Sequence, residues 1–115
     1  MSLLPEYFPD LTGFQWDAGN SEKNWLAHDA SQAETEQVFF GRPVVIMHDA
    51  AHSQDEVRHY LLGRTHAGRR LTVVFTMRES LVRPILARDM SRRERRLYAE
   101  QEDAEEAPEA DSPIP

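Results

Sequence analysis

The 115-residue sequence predicts one compact α+β domain built on a mostly antiparallel sheet. Between residues 43 and 88, short apolar stretches with a two-residue period follow one another, separated by a polar loop at residues 48–55 and then by tight turns, which is typical of consecutive hairpins. Helix-start signals precede and follow this region without interrupting it. The predicted order is β-α-α-β-β-β-β-α, in which two N-terminal helices cover one face of the sheet and a third helix ends the domain.

The N-terminal part is predicted to contain an arm, one strand and both of the first helices. Residues 1–12 show no regular period, and we interpret them as an arm over the surface. A strand is predicted at residues 13–16 and a helix at residues 17–27. Ser31 and Glu34 then have the spacing of a capping box, which predicts that the second helix begins there.

The four strands of the central region are predicted at residues 43–47, 57–65, 70–77 and 81–88. Ala67 and Gly68 form the tight turn between the second and the third of these strands. Pro84 cannot donate a ladder hydrogen bond, so the last strand is expected to lie at an edge or to carry a bulge at that point. The register between the strands is left open, because a shift of one residue exchanges the two faces.

The C-terminal part is predicted to be a basic helix followed by an acidic tail. Ser91 and Glu94 form a second capping box, which predicts a helix over residues 92–100. Residues 101–115 are acidic and poor in apolar side chains, so we expect them to be disordered. The folded domain is accordingly assigned to residues 13–100.

Composition excludes several classes of protein. The chain has no cysteine, so neither a disulfide framework nor thiolate chemistry is expected. Apolar stretches are far shorter than the about 20 residues of a membrane span, and the N-terminus lacks a signal-peptide pattern, so we expect a cytoplasmic protein that does not bind membranes. His48 and His52 have a metal-ligand spacing without a third ligand, and no phosphate-binding loop occurs, so we expect neither a metal nor a cofactor.

The basic residues are nearly all arginines. Residues 99–115 hold seven of the twenty acidic residues, so the thirteen bases of the remaining chain face an equal number of acids. Lys23 is the one lysine, and the planar guanidinium of arginine suits phosphates and carboxylates. Strand periodicity offers four arginines as candidates for one basic sheet face, with Tyr60 among them: Arg58, Arg64, Arg83 and Arg88. Alternatively, each of them is a solvated arginine paired with an acid.

Four segments of the chain resemble a known family when they are taken in order. They read FQWD at residues 14–17, EQVFF at 36–40, HSQDEVRHYLLGRTHAGRRLTVVFT at 52–76 and ILARDMSRRERRLY at 85–98. The chain resembles the BrnT toxins, the ribonuclease half of a type II toxin–antitoxin pair. The resemblance implies a RelE-like fold and cleavage of RNA. It also implies a BrnA-like ribbon-helix-helix antitoxin that contacts operator DNA, with a dimeric toxin inside a heterotetramer.

The resemblance also implies the residues of an active site. Arg64 in LGRT and Arg88 in ILARD fall on arginines linked to activity in the family, and His28 falls on the histidine of its Lys-His-Gly motif. We expect metal-independent cleavage in which the two arginines stabilise the transition state and His28, or else Tyr60, transfers protons. The residues expected to bind RNA or the antitoxin are Arg58, Tyr60, Arg83, Arg92, Arg93 and Arg96.

Two alternatives remain open at the level of sequence. Ala27 stands where the family motif has its lysine, and Pro84 interrupts the last strand. These departures favour a catalytically weak or inactive homologue that serves as an antitoxin-binding module or co-repressor. The acidic tail is either a solubilising terminus or a segment that folds back on the arginines and competes with RNA.

Overall fold

A computed structural model describes residues 12–17, 19–20, 29–49 and 57–105. The predicted arm, most of the first predicted helix and the end of the acidic tail therefore lie outside the described residues. The elements are β1 (Gly13–Phe14), α1 (Gln32–Gln37), β2 (Val45–Asp49), β3 (Arg58–Arg64), β4 (Arg70–Arg78), β5 (Leu81–Asp89) and α2 (Arg92–Glu105). Neither α1 nor α2 is long and apolar enough to cross a bilayer.

The five strands form one sheet in the order β1-β5-β4-β3-β2. β1 runs parallel to β5, and every other neighbouring pair is antiparallel. The α+β class and the mostly antiparallel sheet are thus confirmed. The prediction of two N-terminal helices is not confirmed: the described residues contain one helix between β1 and β2, and most of the other predicted helix lies outside them.

The loop between β3 and β4 sets the register of the central hairpin. We predicted a two-residue turn, but three residues, His66 to Gly68, connect the strands, because the Thr65 N–H donates to the Arg69 carbonyl at 2.8 Å and the Gly68 N–H donates to the Thr65 carbonyl at 2.9 Å. Gly68 adopts a φ of 92°, a left-handed conformation that suits the last position of such a loop. This length places Arg64 directly opposite Arg70.

A β-bulge in β5 confirms the expectation for Pro84. Val74 pairs with Leu86 and Phe75 pairs with Pro84, so Ile85 is the additional residue. The bulge changes which side chains share a face, because strict alternation would put the two arginines of β5 on opposite faces. With one residue inserted, Arg83 pairs with Thr76 and Arg88 pairs with Thr72, so both arginines project from the same face as the even-numbered residues of β4.

One face of the sheet, here called the α1 face, packs against α1 and the turn that follows it. Val38 and Phe39 from that turn lie against Leu71, Val73 and other side chains that are almost fully buried. Three phenylalanines stack edge to face through this layer, with ring centroids 5.2 Å apart in each contact: Phe14, Phe39 and Phe75. The N-terminus of α1 has the predicted capping box between Ser31 and Glu34.

The opposite face, here called the α2 face, is covered at one end by α2. Tyr98 of α2 is fully buried with Leu62 and Met90, and its hydroxyl donates to the Pro43 carbonyl at 2.7 Å. The predicted capping box at Ser91 is present, but the helix continues to Glu105 rather than ending at Glu100. The predicted start of a disordered tail at residue 101 therefore falls inside α2.

The close approach of the α1 turn to β3 leads to a prediction about Gly63. A Cβ at this position would lie 2.7 Å from the Val38 carbonyl oxygen and 3.0 Å from the Val38 Cβ. We expect Gly63→Ala to lower the free energy of unfolding by about 1–3 kcal/mol, because backbone atoms cannot move aside without disturbing the core. Urea unfolding followed by circular dichroism measures this change.

The matched control for this prediction is Gly13→Ala in β1. There the nearest atom to the added Cβ is a Leu81 side-chain carbon at 3.6 Å, an ordinary contact. We expect the control to stay within about 0.5 kcal/mol of the original protein. Equal effects of the two substitutions would contradict the packing described here.

Candidate functional site

The α2 face brings together the arginines that the sequence singled out in β3 and β5. Arg64 lies opposite Arg70 on one side of β4, and Arg88 lies opposite Thr72 on the other side. β4 lies between the strands that carry Arg64 and Arg88, and the β4 residues opposite them, Arg70 and Thr72, are two positions apart. Strand spacings of about 4.8 Å and a rise of about 3.4 Å per residue put the two Cα atoms about 12 Å apart, a distance that two arginine side chains readily bridge.

Arg88 is held by a carboxylate from α2. Its Nη1 and Nη2 donate to the two oxygens of Glu94 at 2.7 and 3.0 Å, and Nη1 also donates to the Asp89 carbonyl at 3.1 Å. Thr72 donates its hydroxyl to Glu94 at 2.9 Å. Because a bidentate pair fixes the plane of the guanidinium, this arrangement orients Arg88 firmly on the α2 face.

The surroundings of Glu94 control its ionisation. Burial alone would raise the pKa of Glu94, but hydrogen bonds from Arg88, the Ser91 backbone and Thr72 outweigh it and lower the pKa from 4.5 to about 2. Glu94 is therefore ionised at neutral pH and does not serve as a proton donor there. The hydrogen bond between Arg88 and Glu94 is the main reason that the pKa of Arg88 is raised, and the charge of nearby Tyr60 makes a smaller contribution.

Arg64 and Arg70 share a second carboxylate of α2. Glu102 accepts from Arg64 Nη1 on one oxygen at 2.9 Å, and from Arg70 Nε and Nη2 on the other at 3.2 and 2.8 Å. The side chain of Glu102 is 8% exposed, whereas those of Arg64 and Arg70 are 37% and 44% exposed. The hydrogen bond to Glu102 raises the pKa of Arg70. The carboxylate is thus enclosed while both guanidinium groups still reach solvent.

The geometry of α2 explains why it meets both arginine sites. Glu94, Tyr98 and Glu102 are spaced four residues apart, so they lie along one side of the helix. At a rise of about 1.5 Å per residue, the two carboxylates stand about 12 Å apart along the axis, which matches the separation estimated for Arg64 and Arg88. The helix therefore places one carboxylate at each arginine, with the buried tyrosine between them.

A separate ion-pair cluster surrounds Arg69, next to the end of β5. Arg69 donates to Asp89 at 2.9 Å, to Glu34 at 3.2 Å and to the Asp29 carbonyl at 2.7 Å. The hydrogen bond to Asp89 is the main reason that the pKa of Arg69 is raised.

Asp29 has a φ of 53°, in the left-handed region that glycine adopts most easily. His28 itself lies outside the described residues.

The other residues predicted to bind RNA or an antitoxin are dispersed. Arg83 pairs with exposed Asp17 at 2.9 Å, and this hydrogen bond is the main cause of the lowered pKa of Asp17. Arg58 stands opposite Asp49 in the register with β2, and Tyr60 projects from the same face. Arg92, Arg93 and Arg96 are exposed on α2. The strand register thus places five of the predicted residues on one face, with Arg83 held there in its own pair with Asp17: Arg58, Tyr60, Arg64, Arg83 and Arg88.

Sequence reasoning missed three members of this site: Arg70, Thr72 and Glu102. Arg70 and Thr72 depend on the loop length and the strand register, which the sequence left open. Glu102 was assigned to the tail, although its four-residue spacing from Tyr98 and Glu94 was a readable signal that the helix continues. The capping box predicts the position of Glu94 at the helix start, but no local pattern predicts its contact with Arg88.

Comparison with known protein families finds a match that covers most of the chain. A family model described as the ribonuclease toxin BrnT of a type II toxin–antitoxin system matches residues 16–94, more than half of the chain. The matched segment includes Arg64, Arg70, Thr72, Arg88 and Glu94, and it ends before Glu102. A search of curated proteins finds no significant match.

The lowered pKa of Glu94 predicts how stability depends on pH. Because the folded value of about 2 lies below the ordinary 4.5, the stability that the ionised group contributes is complete above pH 4.5 and is lost as pH falls toward 2. The contribution is about 2–3 kcal/mol for this largely buried group. We expect Glu94→Gln, which preserves shape and capping, to flatten the decline in the free energy of unfolding over this range.

The control for this pH experiment is Asp103→Asn. Asp103 is exposed and lies on the opposite side of α2 from Glu94, nine residues further along the helix. We expect its substitution to leave the acid-induced loss of stability almost unchanged. Parallel pH profiles for Glu94→Gln and the original protein, measured by urea unfolding, would contradict the assigned role of the Arg88–Glu94 pair.

Proposed function

The chain belongs to the BrnT family of ribonuclease toxins of type II toxin–antitoxin systems, and we propose that it cleaves RNA without a metal ion, using the arginines of the α2 face. The observation that supports this proposal is that Arg64 and Arg88 project from one sheet face about 12 Å apart, with Arg70 beside the first. Several guanidinium groups on one face supply the positive charge that cleavage of a phosphodiester requires.

The proposed reaction uses the 2′-hydroxyl of RNA as the nucleophile. Its oxygen forms a bond to the adjacent phosphorus, the bond from phosphorus to the 5′-oxygen breaks, and a 2′,3′-cyclic phosphate and a 5′-hydroxyl result. The proton of the 2′-hydroxyl passes to a general base, and the leaving 5′-oxygen receives a proton from a general acid. Arg64 and Arg88 stabilise the additional negative charge on the phosphoryl oxygens in the transition state.

Two side chains are proposed for proton transfer. His28 remains the first choice, because an imidazole titrates near neutral pH. Tyr60 is the second, and its position on the α2 face close to Arg88 supports it. Glu94 is unsuitable as a proton donor because its pKa is about 2.

Membership of a type II toxin family implies an antitoxin partner. We propose that this partner is a BrnA-like ribbon-helix-helix protein that binds operator DNA, and that two toxins and two antitoxins form the complex. The exposed arginines of α2, Arg92, Arg93 and Arg96, would contact flanking phosphates or acidic groups of the antitoxin. A binding role suits them because, within the described part of the chain, none of them makes a bidentate contact like the one that orients Arg88.

A second candidate function is binding of the antitoxin without cleavage of RNA. One observation favours it: each of the proposed catalytic arginines is already paired with a carboxylate of α2, Arg64 with Glu102 and Arg88 with Glu94. A guanidinium that keeps such a partner stabilises a developing negative charge less effectively. Tight antitoxin binding without growth arrest would identify this function.

The proposed activity leads to a test in living cells. We expect expression of the chain without an antitoxin to arrest growth and degrade cellular RNA, and Arg64→Ala and Arg88→Ala each to lower the cleavage rate by about 10²–10³-fold, as removal of one charge-stabilising donor does. His28→Ala is expected to reduce cleavage as well. Growth curves, total RNA integrity and the rate with purified protein measure these effects.

The matched control for the arginine substitutions is Arg78→Ala. Arg78 is an exposed arginine on the same sheet face, at the opposite end of β4 from Arg70, so its loss changes the total charge equally. We expect this control to retain cleavage. Intact RNA in cells that express the original chain would refute the enzyme, and undiminished cleavage by both arginine variants would refute the site.

A further inference from the structure

We propose that Arg64 and Arg70 form a subsite for a phosphate of the RNA backbone, and that Glu102 occupies this subsite as an internal competitor. The C-terminal turns of α2 would then restrain RNA binding by the chain. This inference rests on the proposed ribonuclease function, and it assigns to that site a further phosphate-binding residue, Arg70, and a means of regulation.

The contacts of Glu102 resemble those expected for a phosphodiester. Its two carboxylate oxygens divide between the two arginines, one accepting from Arg64 and the other from two nitrogens of Arg70. A phosphodiester likewise presents two anionic oxygens on one atom, and arginine recognises both groups through the same planar pairs of N–H donors. The carboxylate of Glu102 therefore shows which anion geometry this pair of arginines accepts.

Exposure at the site favours replacement of Glu102 by an external anion. The arginine side chains remain 37% and 44% exposed, so their outer edges are accessible while Glu102 lies beneath them. An approaching phosphate would meet both guanidinium groups before it met the carboxylate. The attraction between these arginines and a phosphate is strongest at low ionic strength, where exposed charges are least screened. The subsite would bind RNA best when the carboxylate of Glu102 has moved away and no longer neutralises the arginines.

Glu102 differs from the other carboxylate of α2 in how firmly it is held. Glu94 also accepts from Thr72 and from the Ser91 backbone, so moving it would break the start of the helix. Every side-chain hydrogen bond that the structure describes for Glu102 goes to Arg64 or Arg70. Glu102 is therefore the carboxylate that can leave without loss of any other described hydrogen bond.

Glu102, the residue that imposes this restraint, lies beyond the segment that the family model matches. The family match ends at residue 94, whereas Arg64 and Arg70 lie inside it. Five further acidic residues follow Glu102 before the end of the sequence. A carboxylate tethered beside its arginines competes at a high effective concentration, so even a weak contact lowers the apparent affinity for RNA.

The test compares two substitutions that remove the same charge from α2. Glu102→Gln removes the competing carboxylate, and Glu100→Gln removes an exposed one on the opposite side of the helix, two residues away. The probe is a fluorescent single-stranded RNA with 2′-O-methyl groups, which binds without being cleaved. At low salt we expect Glu102→Gln to tighten binding roughly three- to tenfold, and Glu100→Gln to change it less than about twofold.

A double substitution determines whether the gain acts through Arg70. If Glu102 competes for this arginine, Arg70→Gln should weaken RNA binding in the Glu102→Gln background more than in the original chain. Additive effects of the two substitutions would overturn the proposal, because the gain would then arise from general charge. Equal effects of Glu102→Gln and Glu100→Gln would overturn it for the same reason.

Folding and the underlying function are separated by two further measurements. Thermal unfolding checks that each variant is folded. If Glu102→Gln is not folded, Glu102→Asp provides a second variant, since the shorter side chain of aspartate cannot reach both arginines. We expect Glu102→Asp to tighten binding by a smaller factor, and no change would overturn the subsite. Cleavage of ordinary RNA by the original chain, with unchanged binding by both variants, would reject this inference and leave the ribonuclease function standing.

Discussion

The structure depends on the contact between α2 and the sheet, which is made by three side chains spaced four residues apart. Tyr98 supplies the apolar part of this contact, and Glu94 and Glu102 supply its charged ends. A buried carboxylate is tolerated only where it is paired and hydrogen-bonded, so each glutamate requires its arginine as a partner. The position of α2 and the orientation of Arg64 and Arg88 are consequently determined by the same interactions.

This dual role connects stability with the proposed activity. An arginine that neutralises a buried glutamate stabilises the fold, whereas an arginine that stabilises a transition state must offer its N–H groups to the substrate. Arg88 stabilises the fold through its bidentate pair with Glu94, whose side chain also accepts a hydrogen bond from the Ser91 N–H at the start of α2. Glu102 pairs with Arg64 and Arg70 and does not cap the helix. The N-terminal end of α2 is therefore suited to stabilising the fold, and its C-terminal end is suited to regulating access to the arginines.

Two local irregularities of the backbone decide which arginines share a face. The three-residue loop after Thr65 sets Arg64 opposite Arg70, and the bulge at Ile85 brings Arg83 and Arg88 to the same side. A loop shorter by one residue, or a strand without the bulge, would reverse the side on which the following residues project. The site therefore depends as much on these insertions as on the identity of the arginines.

The sequence by itself determined the elements whose signals are local. Alternating apolar residues predicted β3, β4 and β5, and paired Ser and Glu residues predicted both capping boxes. Pro84 predicted either an edge strand or a bulge, and the structure has the bulge. The tertiary structure decided what depends on residues distant in the chain: that Arg70 and Thr72 belong to the arginine site, and that Glu102 contacts the sheet at Arg64 and Arg70. The physical reason is that the register and the docking of α2 follow from pairings 20 to 40 residues apart, such as Thr72 with Glu94 and Arg64 with Glu102. Local periodicity contains no information about such pairings.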